Sequence, residues 1–281
     1  NYEIKFASPT LNLNMAANSQ KIAEDMQRSV ELEKIGEHRS AFHIVNSALA
    51  EEPRNPSLYF LAARYCFSLQ ETDLAEDAIE KALILDQKNP HYLKLKGDIL
   101  ASNDMVTEAI GYYRRSVKSH STNVPALNNL GNLLREVGNL KDAEKQLKRA
   151  LANDANFVPA RFNLALTMLE DERFEDAEQE LQTCIRTVPD APDFWMTLGK
   201  IHETLNSVES AIETLEKAIE QNPNDFESSI LLGKIKFTQA YFLEENQSAK
   251  ELLFYEGKEI CKKGVLNHPD FIQVYNNTNG D

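Results

Sequence analysis

The sequence is poor in several features that define whole classes of proteins. Its 281 residues include only ten glycines and ten prolines, which is too few for low-complexity linkers. Lysine and arginine total 30 against 44 acidic residues, and the formal charge of −14 argues against sequence-independent binding of nucleic acid and against docking on anionic lipid. No apolar run approaches about 18 residues, so we expect no membrane insertion.

Cysteine is also scarce. Cys66, Cys184 and Cys261 are far apart and show no metal-ligand spacing, which excludes a disulfide scaffold and slightly favours a cytoplasmic location. The chain begins at Asn1 rather than at Met, without a basic stretch followed by an apolar segment. No signal peptide is therefore visible, although a leader could already have been removed.

Motifs that carry catalysis are missing as well. The sequence has no Gly-rich phosphate loop, no Gly-x-Ser-x-Gly and no His-Glu-x-x-His, and its six histidines are scattered. We therefore predict a protein that is not an enzyme, with no catalytic residues, no cofactor and no metal site.

What the sequence does contain is a globular composition, with 42% hydrophobic and 26% charged residues, and a strict period of 34 residues. The first residues of the repeating units are Ile22, Pro56, Pro90, Val124, Val158, Pro192 and Phe226. Position 8 of the unit is always small: Ser29, Ala63, Gly97, Gly131, Ala165, Gly199 and Gly233. Position 20 is alanine in the first six units. A fixed period of this length indicates stacked helical hairpins.

The apolar positions assign two helices to each unit. Positions 4, 7, 8 and 11 share one face of a first helix, A, and positions 20, 24, 27 and 28 share one face of a second helix, B. Small residues at positions 8 and 20 let the two backbones approach closely. A turn is expected near position 15, where Gly36 and Gly138 lie.

This pattern resembles the tetratricopeptide repeat (TPR) family, in strict register over residues 22–225 and with a modified seventh unit. The resemblance implies an all-α fold, a right-handed α-α superhelix (solenoid) of antiparallel helix hairpins in which the A helices line a concave groove. We predict an N-terminal arm over residues 1–21, partly extended, and a solenoid over residues 22–271. Its predicted units are 22–55, 56–89, 90–123, 124–157, 158–191, 192–225 and the modified unit 226–271. Residues 272–281 form a tail or the start of a truncated eighth unit.

The groove should carry the contacts with a partner. The resemblance implies that positions 2, 5, 6, 9, 12 and 13 of helix A line it. The predicted peptide-binding residues at these positions are Arg64, Lys94, Asn128, Asn129, Asn132, Arg135, Asn163 and Lys200. Asn129 and Asn163 both occupy position 6, and a side-chain amide can pair with a peptide backbone because it offers a donor and an acceptor.

Two family comparisons refine this expectation. Asparagines at position 6 form a ladder in the TPR region of O-linked N-acetylglucosamine transferase, which this sequence resembles at two rungs only. The carboxylate clamp of other TPR proteins requires asparagine at position 9 and basic residues in the unit two places further on. Asp98 and Pro159 break that pattern, so we predict no binding of acidic chaperone C-termini.

The modified seventh unit is longer than the others, because Pro269 stands where the period expects residue 257. We predict two lengthened helices, over residues 226–243 and 248–266. Four aromatic residues crowd them: Tyr241, Phe242, Phe254 and Tyr255. They either thicken the C-terminal core or form an apolar contact surface for another domain or subunit.

The sequence favours a protein–protein interaction scaffold that binds an extended peptide or a helix in its groove. Two alternatives stay open. The chain could be the substrate-recognition region of a larger enzyme, of the glycosyl- or sulfotransferase type, whose catalytic domain lies beyond residue 281. It could also be a self-associating assembly module that forms a homo-oligomer through its terminal units.

Overall fold

The computed structural model describes residues 9–242 and 247–267, and all their regular secondary structure is helical. The all-α prediction is confirmed. The helices of the described residues are α1 (Pro9–Lys34), α2 (His38–Glu51), α3 (Pro56–Ser68), α4 (Thr72–Leu85), α5 (Pro90–Ser102), α6 (Val106–Ser119), α7 (Val124–Glu136), α8 (Leu140–Asn153), α9 (Val158–Glu170), α10 (Phe174–Thr187), α11 (Pro192–Thr204), α12 (Val208–Gln221), α13 (Phe226–Phe242) and α14 (Gln247–Asn267). The predicted tail and residues 1–8 of the predicted arm lie outside the described residues.

The expectation of a partly extended arm is wrong for residues 9–21. They form the first half of α1, which continues without a break into the predicted helix A of the first unit. The segment contains no glycine, and its only proline, Pro9, stands in the first turn, where a missing backbone N–H does no harm. Leu, Met and Ala in this stretch are good helix formers.

The A helices begin with local signals that stop one helix and start the next. Pro56, Pro90 and Pro192 occupy the first positions of α3, α5 and α11. The side-chain oxygen of Asn55 accepts hydrogen bonds from two backbone N–H groups at the start of α3, and that of Asn89 accepts one, from His91 N, at the start of α5. Within the described residues α3 packs on α4, α5 on α6, α9 on α10, α11 on α12 and α13 on α14.

The turn inside each hairpin lies at position 15, as predicted. This position has a positive φ in all six regular units: Gly36, Gln70, Asp104, Gly138, Glu172 and Asn206. Only two of the six are glycine, the residue that adopts this conformation without steric cost. The other four turns therefore hold a side chain in the strained left-handed region.

The small residues of the repeat lie where two helices meet. A Cβ atom added to Gly97 would stand 2.7 Å from the ring of Tyr113, and one added to Gly199 would stand 2.7 Å from Leu215. The position-20 alanines are fully buried, as at Ala75. Small side chains at these positions thus allow helix B to pack directly on helix A.

The chain divides into two compact modules, an N-terminal module (Asn1–Leu133) and a C-terminal module (Leu134–Asp281). The core of the first includes Leu58 and Ile79, and that of the second includes Leu181 and Ile201. The last hairpin, α13 and α14, has the lengthened helices that the sequence predicts, with Leu243 outside the described residues.

Candidate functional site

The N-terminal module contains a polar cluster centred on Asp98, at position 9 of α5. Lys94 Nζ, one turn earlier, donates to Asp98 Oδ2 at 2.7 Å. Two further donors reach Asp98 Oδ1: Tyr113 Oη at 2.7 Å and Asn129 Nδ2 at 3.0 Å. Asn128 Nδ2 in turn donates to Asn129 Oδ1 at 3.1 Å. Three of the predicted contact residues therefore belong to one hydrogen-bonded network.

This network defines which hydrogen-bonding capacity of Asn129 is already used. Its amide nitrogen lies 3.5 Å from Tyr113 Oη as well as 3.0 Å from Asp98 Oδ1. Since those two oxygens are only 2.7 Å apart, they lie on the same side of the nitrogen and share one N–H. An amide has two N–H groups and two acceptor lone pairs. Beyond its contacts with Asp98, Tyr113 and Asn128, Asn129 retains a second N–H and a second lone pair.

Tyr113 keeps the network in one protonation state. Burial raises the pKa of its hydroxyl far above its ordinary value of 10, and the negative charge of Asp98 adds to the effect. The ring is 2% exposed, so the hydroxyl has no access to bulk water. Tyr113 thus stays a hydrogen-bond donor throughout the physiological range and fixes the orientation of Asp98.

The cations predicted to contact a peptide are all engaged by carboxylates. In the N-terminal module Arg64 pairs with Glu33. The guanidinium of Arg64 also lies over the ring of Phe60, 5.7 Å from the centroid. Lys94 pairs with Asp98. An acidic peptide would therefore have to displace a carboxylate of the protein to reach either cation.

The C-terminal module shows the same pairing of cations with carboxylates. Arg135 Nη1 bonds to Glu170 Oε1, and Lys200 Nζ donates to Glu227 Oε2 at 2.7 Å. Asn163 lies half-buried on α9, and its backbone carbonyl accepts from Thr167 Oγ1 at 2.7 Å. The predicted residues Asn128, Asn129 and Asn132 belong to the N-terminal module. Arg135, Asn163 and Lys200 belong to the C-terminal module.

One buried cation escapes the sequence analysis. Lys96 is 3% exposed, although it stands at position 7, where α3 and α9 have Ala62 and Leu164. Its Nζ donates to Glu76 and to Glu80 of α4, each at 2.7 Å. The signal that could have revealed this triad is a lysine at a packing position, with two glutamates four residues apart on the preceding helix B.

The aromatic residues of the last hairpin are not part of its core. The exposed fractions are 76% for Tyr241, 73% for Phe242, 58% for Phe254 and 61% for Tyr255. Together they line an open groove of about 890 Å³ between α13 and α14. Of the two interpretations that the sequence left open, a thicker core therefore does not fit these four side chains.

Two of the three cysteines, Cys66 and Cys184, are buried. Burial raises the pKa of both Cys66 and Cys184 to about 11, so their thiols are protonated at neutral pH. Within the described residues no group of three His, Cys, Asp or Glu side chains is placed to hold a metal ion. No helix in this part of the chain has the length and apolarity needed to cross a membrane.

Sequence-family comparison agrees with the repeat geometry. Two tetratricopeptide repeat models match, one at residues 36–99 and 168–235 and the other at residues 128–183, and together they cover more than half of the chain. The chain belongs to the tetratricopeptide repeat family. This fold supports a protein–protein interaction scaffold, and TPR proteins are generally non-enzymatic. No curated protein sequence matches the chain.

Solved structures with the same fold include three that overlap most of this TPR chain. PilW, a widely conserved type IV pilus biogenesis factor, has a TM-score of 0.69 at 22% identity, covering 75% of this chain and 98% of PilW. A TPR protein from Parabacteroides merdae has 0.63 at 19%, covering 85% and 99%. YrrB, described as a TPR protein with an unusual peptide-binding site, has 0.56 at 22%, covering 66% and 95%. At these identities the likeness shows the fold alone.

Proposed function

We propose that this TPR chain is a non-enzymatic scaffold that binds an extended segment of a protein partner through the side chains of its A helices, and that Asn129 contacts the main chain of that segment. The observation that carries the proposal is the network around Asp98. It holds Asn129 with an N–H and a lone pair that the network leaves unused, which is the pair of groups that one peptide unit requires.

The fixed orientation of the Asn129 side chain favours binding. A free asparagine side chain loses rotamer freedom when it binds, whereas Asn129 is already held by Asp98 and Asn128. Pre-organisation of this kind favours binding because less conformational entropy is lost. Asn163 occupies the corresponding position of α9. The peptide-binding site of YrrB, a TPR protein of the same fold, is in keeping with the proposal.

Charge has a smaller role in the proposed recognition. Because Arg64, Lys94 and Lys200 are each paired with a carboxylate, the A helices offer few cations to an acidic peptide. Asp98 stands where a carboxylate clamp would have asparagine, and its negative charge disfavours a C-terminal carboxylate. We therefore expect partners to be selected by backbone contacts and shape more than by net charge.

The test is to select peptides from a random library displayed on phage and then to measure their affinity for variants of the chain. Asn129→Ala should weaken binding by about tenfold, because it removes two hydrogen bonds to the peptide, each with a net worth of roughly 0.5–1.5 kcal/mol. The matched control is Asn46→Ala, an exposed asparagine on α2. It should leave the affinity unchanged.

The substitution should also affect stability. Asn129 donates to Asp98, so Asn129→Ala should lower the free energy of unfolding by about 1 kcal/mol. Affinities are therefore compared well below the unfolding temperature. Undiminished binding by folded Asn129→Ala would refute the proposal.

A further inference from the structure

The last hairpin presents an aromatic groove that the proposed peptide site does not use. Phe237 packs against Phe254 at its base, with 5.1 Å between the ring centroids. Tyr241, Phe242 and Tyr255 stand on its rims with more than half of each residue exposed. A concave apolar surface of this kind on a folded chain is typical of an interaction site.

The rings are exposed because the last hairpin is longer than the one before it. Helices α11 and α13 both begin at position 1, but α11 has 13 residues and α13 has 17. Tyr241 and Phe242 fall in the additional turn, which has no counterpart in α11. Likewise α14 has 21 residues against 14 in α12. The preceding hairpin is therefore too short to cover this end of α13 and α14.

The shape of the groove suits a helix. The groove-lining residues of α14 recur every three or four positions, which places them on one helical face: Gln247, Lys250, Glu251, Phe254, Tyr255 and Lys258. From Gln247 to Lys258 this face extends for roughly 17 Å, or about three helical turns. Two parallel ridges with an apolar floor accept the apolar stripe of a third, amphipathic helix.

The charges around the groove indicate which sign of charge that helix should have. Lys250 and Lys258 both line it and are separated along α14 by about 12 Å. Within the described residues neither has a carboxylate at ion-pair distance, whereas the nearby Lys236 is paired with Glu256 at 3.0 Å. Glu251 accepts a hydrogen bond from Gln247 at 2.8 Å. A hydrogen bond from a neutral amide leaves the negative charge of Glu251 in place. On a chain with a net charge of −14, the lining of the groove thus has an excess of positive charge, with two lysines against one glutamate.

We propose that this groove, lined by Phe237, Tyr241, Phe242, Phe254 and Tyr255, is a second docking site that binds about three turns of an acidic amphipathic helix from a protein partner. The apolar stripe of the helix packs between the aromatic rings. Two of its carboxylates, about two turns apart, pair with Lys250 and Lys258. A second copy of this chain fits less well, because a twofold contact brings the same lysines of both copies to one interface.

The experiment uses the full chain and two fluorescein-labelled synthetic peptides of about 15 residues. Both have the same leucine and phenylalanine stripe; one has two glutamates seven positions apart on the flanking face and the other has lysines there. Fluorescence anisotropy should show that the acidic peptide binds at least tenfold more tightly, since two ion pairs are replaced by two repulsions. Lys250→Glu with Lys258→Glu should reverse this preference, and Lys145→Glu on α8 is the matched control.

The aromatic floor is tested separately. Phe242→Ser with Tyr255→Ser should weaken binding of the acidic peptide more than tenfold. Leu74→Ser, which changes an exposed leucine on α4, should have no effect. Far-UV circular dichroism checks that each variant is folded, and the charge reversal does not depend on the aromatic variants.

Three outcomes would overturn the proposal. The first is equal binding of the acidic and basic peptides by the native chain, or unchanged binding by the folded aromatic variant. The second is a dimer in sedimentation velocity that Phe242→Ser dissociates, which assigns the groove to a second copy. The third is co-sedimentation with phosphatidylcholine–phosphatidylserine vesicles without peptide binding, which assigns it to a lipid surface.

Discussion

Lys96 offers a quantitative test of how this repeat tolerates a charge at a packing position. The side chain is 3% exposed and bonds to Glu76 and Glu80, whose side chains are 32% and 58% exposed. Removal of the lysine therefore leaves no carboxylate stranded in the interior, because both glutamates can be hydrated. The stability that depends on Lys96 should come from its buried methylene groups more than from its ion pairs.

The magnitudes separate two substitutions. Lys96→Ala removes three methylene groups, at about 0.8 kcal/mol each, and adds the cost of the resulting cavity, so the free energy of unfolding should fall by about 2–4 kcal/mol. Lys96→Met retains an unbranched chain of similar length. A buried ion pair is often replaced by an apolar side chain at little cost, so this variant should lie within about 1 kcal/mol of the native chain.

Urea unfolding at pH 7, followed by circular dichroism, measures the difference. A loss for Lys96→Met as large as that for Lys96→Ala would show that the charge, not the packing, stabilises the hairpin, and would refute this reasoning. The pH dependence gives a second check. Burial lowers the pKa of Lys96, but its bonds to Glu76 and Glu80 outweigh burial and raise the pKa above 10.5. The stability that the ion pairs of Lys96 contribute should persist up to about pH 10.5 and decline above it.

Three further predictions concern stability and are measured by the same urea titration. Gly199→Ala should cost about 1–3 kcal/mol, since its Cβ would clash with the facing helix, whereas Gly111→Ala should stabilise α6 by about 0.5–1 kcal/mol because nothing lies within 4 Å. Gln70→Gly should stabilise the chain by up to about 1 kcal/mol, because it relieves a positive φ of 61°. Hydrogen bonds, first that from Lys148, lower the pKa of Glu144, so its contribution should be lost as the pH falls below 4.5, and this loss should be absent in Glu144→Gln.

The helices of this chain were predictable because the repeat leaves little freedom at the points where helices cross. A large residue at position 8 would meet the facing helix B, and at Gly97 even an added Cβ atom would stand 2.7 Å from the ring of Tyr113. The period therefore reports directly on packing, and α3, α5 and the later A helices begin at the residues that start the periodic units. The N-terminal arm has no such periodic signal, and the prediction of a partly extended arm was wrong for residues 9–21, which are helical.

The polar contacts were less predictable. The pattern identifies Asn129 as a residue that helix packing does not require. The sequence does not tell whether its amide is free or, as in the structure, bonded to Asp98. Whether Lys94 is available to a partner depends equally on the rotamer of one neighbouring carboxylate. Periodicity specifies which face a side chain occupies and does not specify its partner on that face.

The two proposed sites differ in their charges, and ionic strength should therefore distinguish them. Around Asn129 the cation Lys94 is already neutralised by Asp98, so binding of an extended peptide should change less than about threefold between 0.05 and 0.5 M salt. At the aromatic groove Lys250 and Lys258 have no such partner within the described residues, and salt screens exposed charges over a Debye length of about 10 Å at 0.1 M and 3 Å at 1 M. Affinity for the acidic helix should fall severalfold over the same range, and the double variant Lys250→Glu with Lys258→Glu should lose this dependence or invert it. An equal salt dependence at both sites would mean that the ion pair of Lys94 opens when a peptide binds.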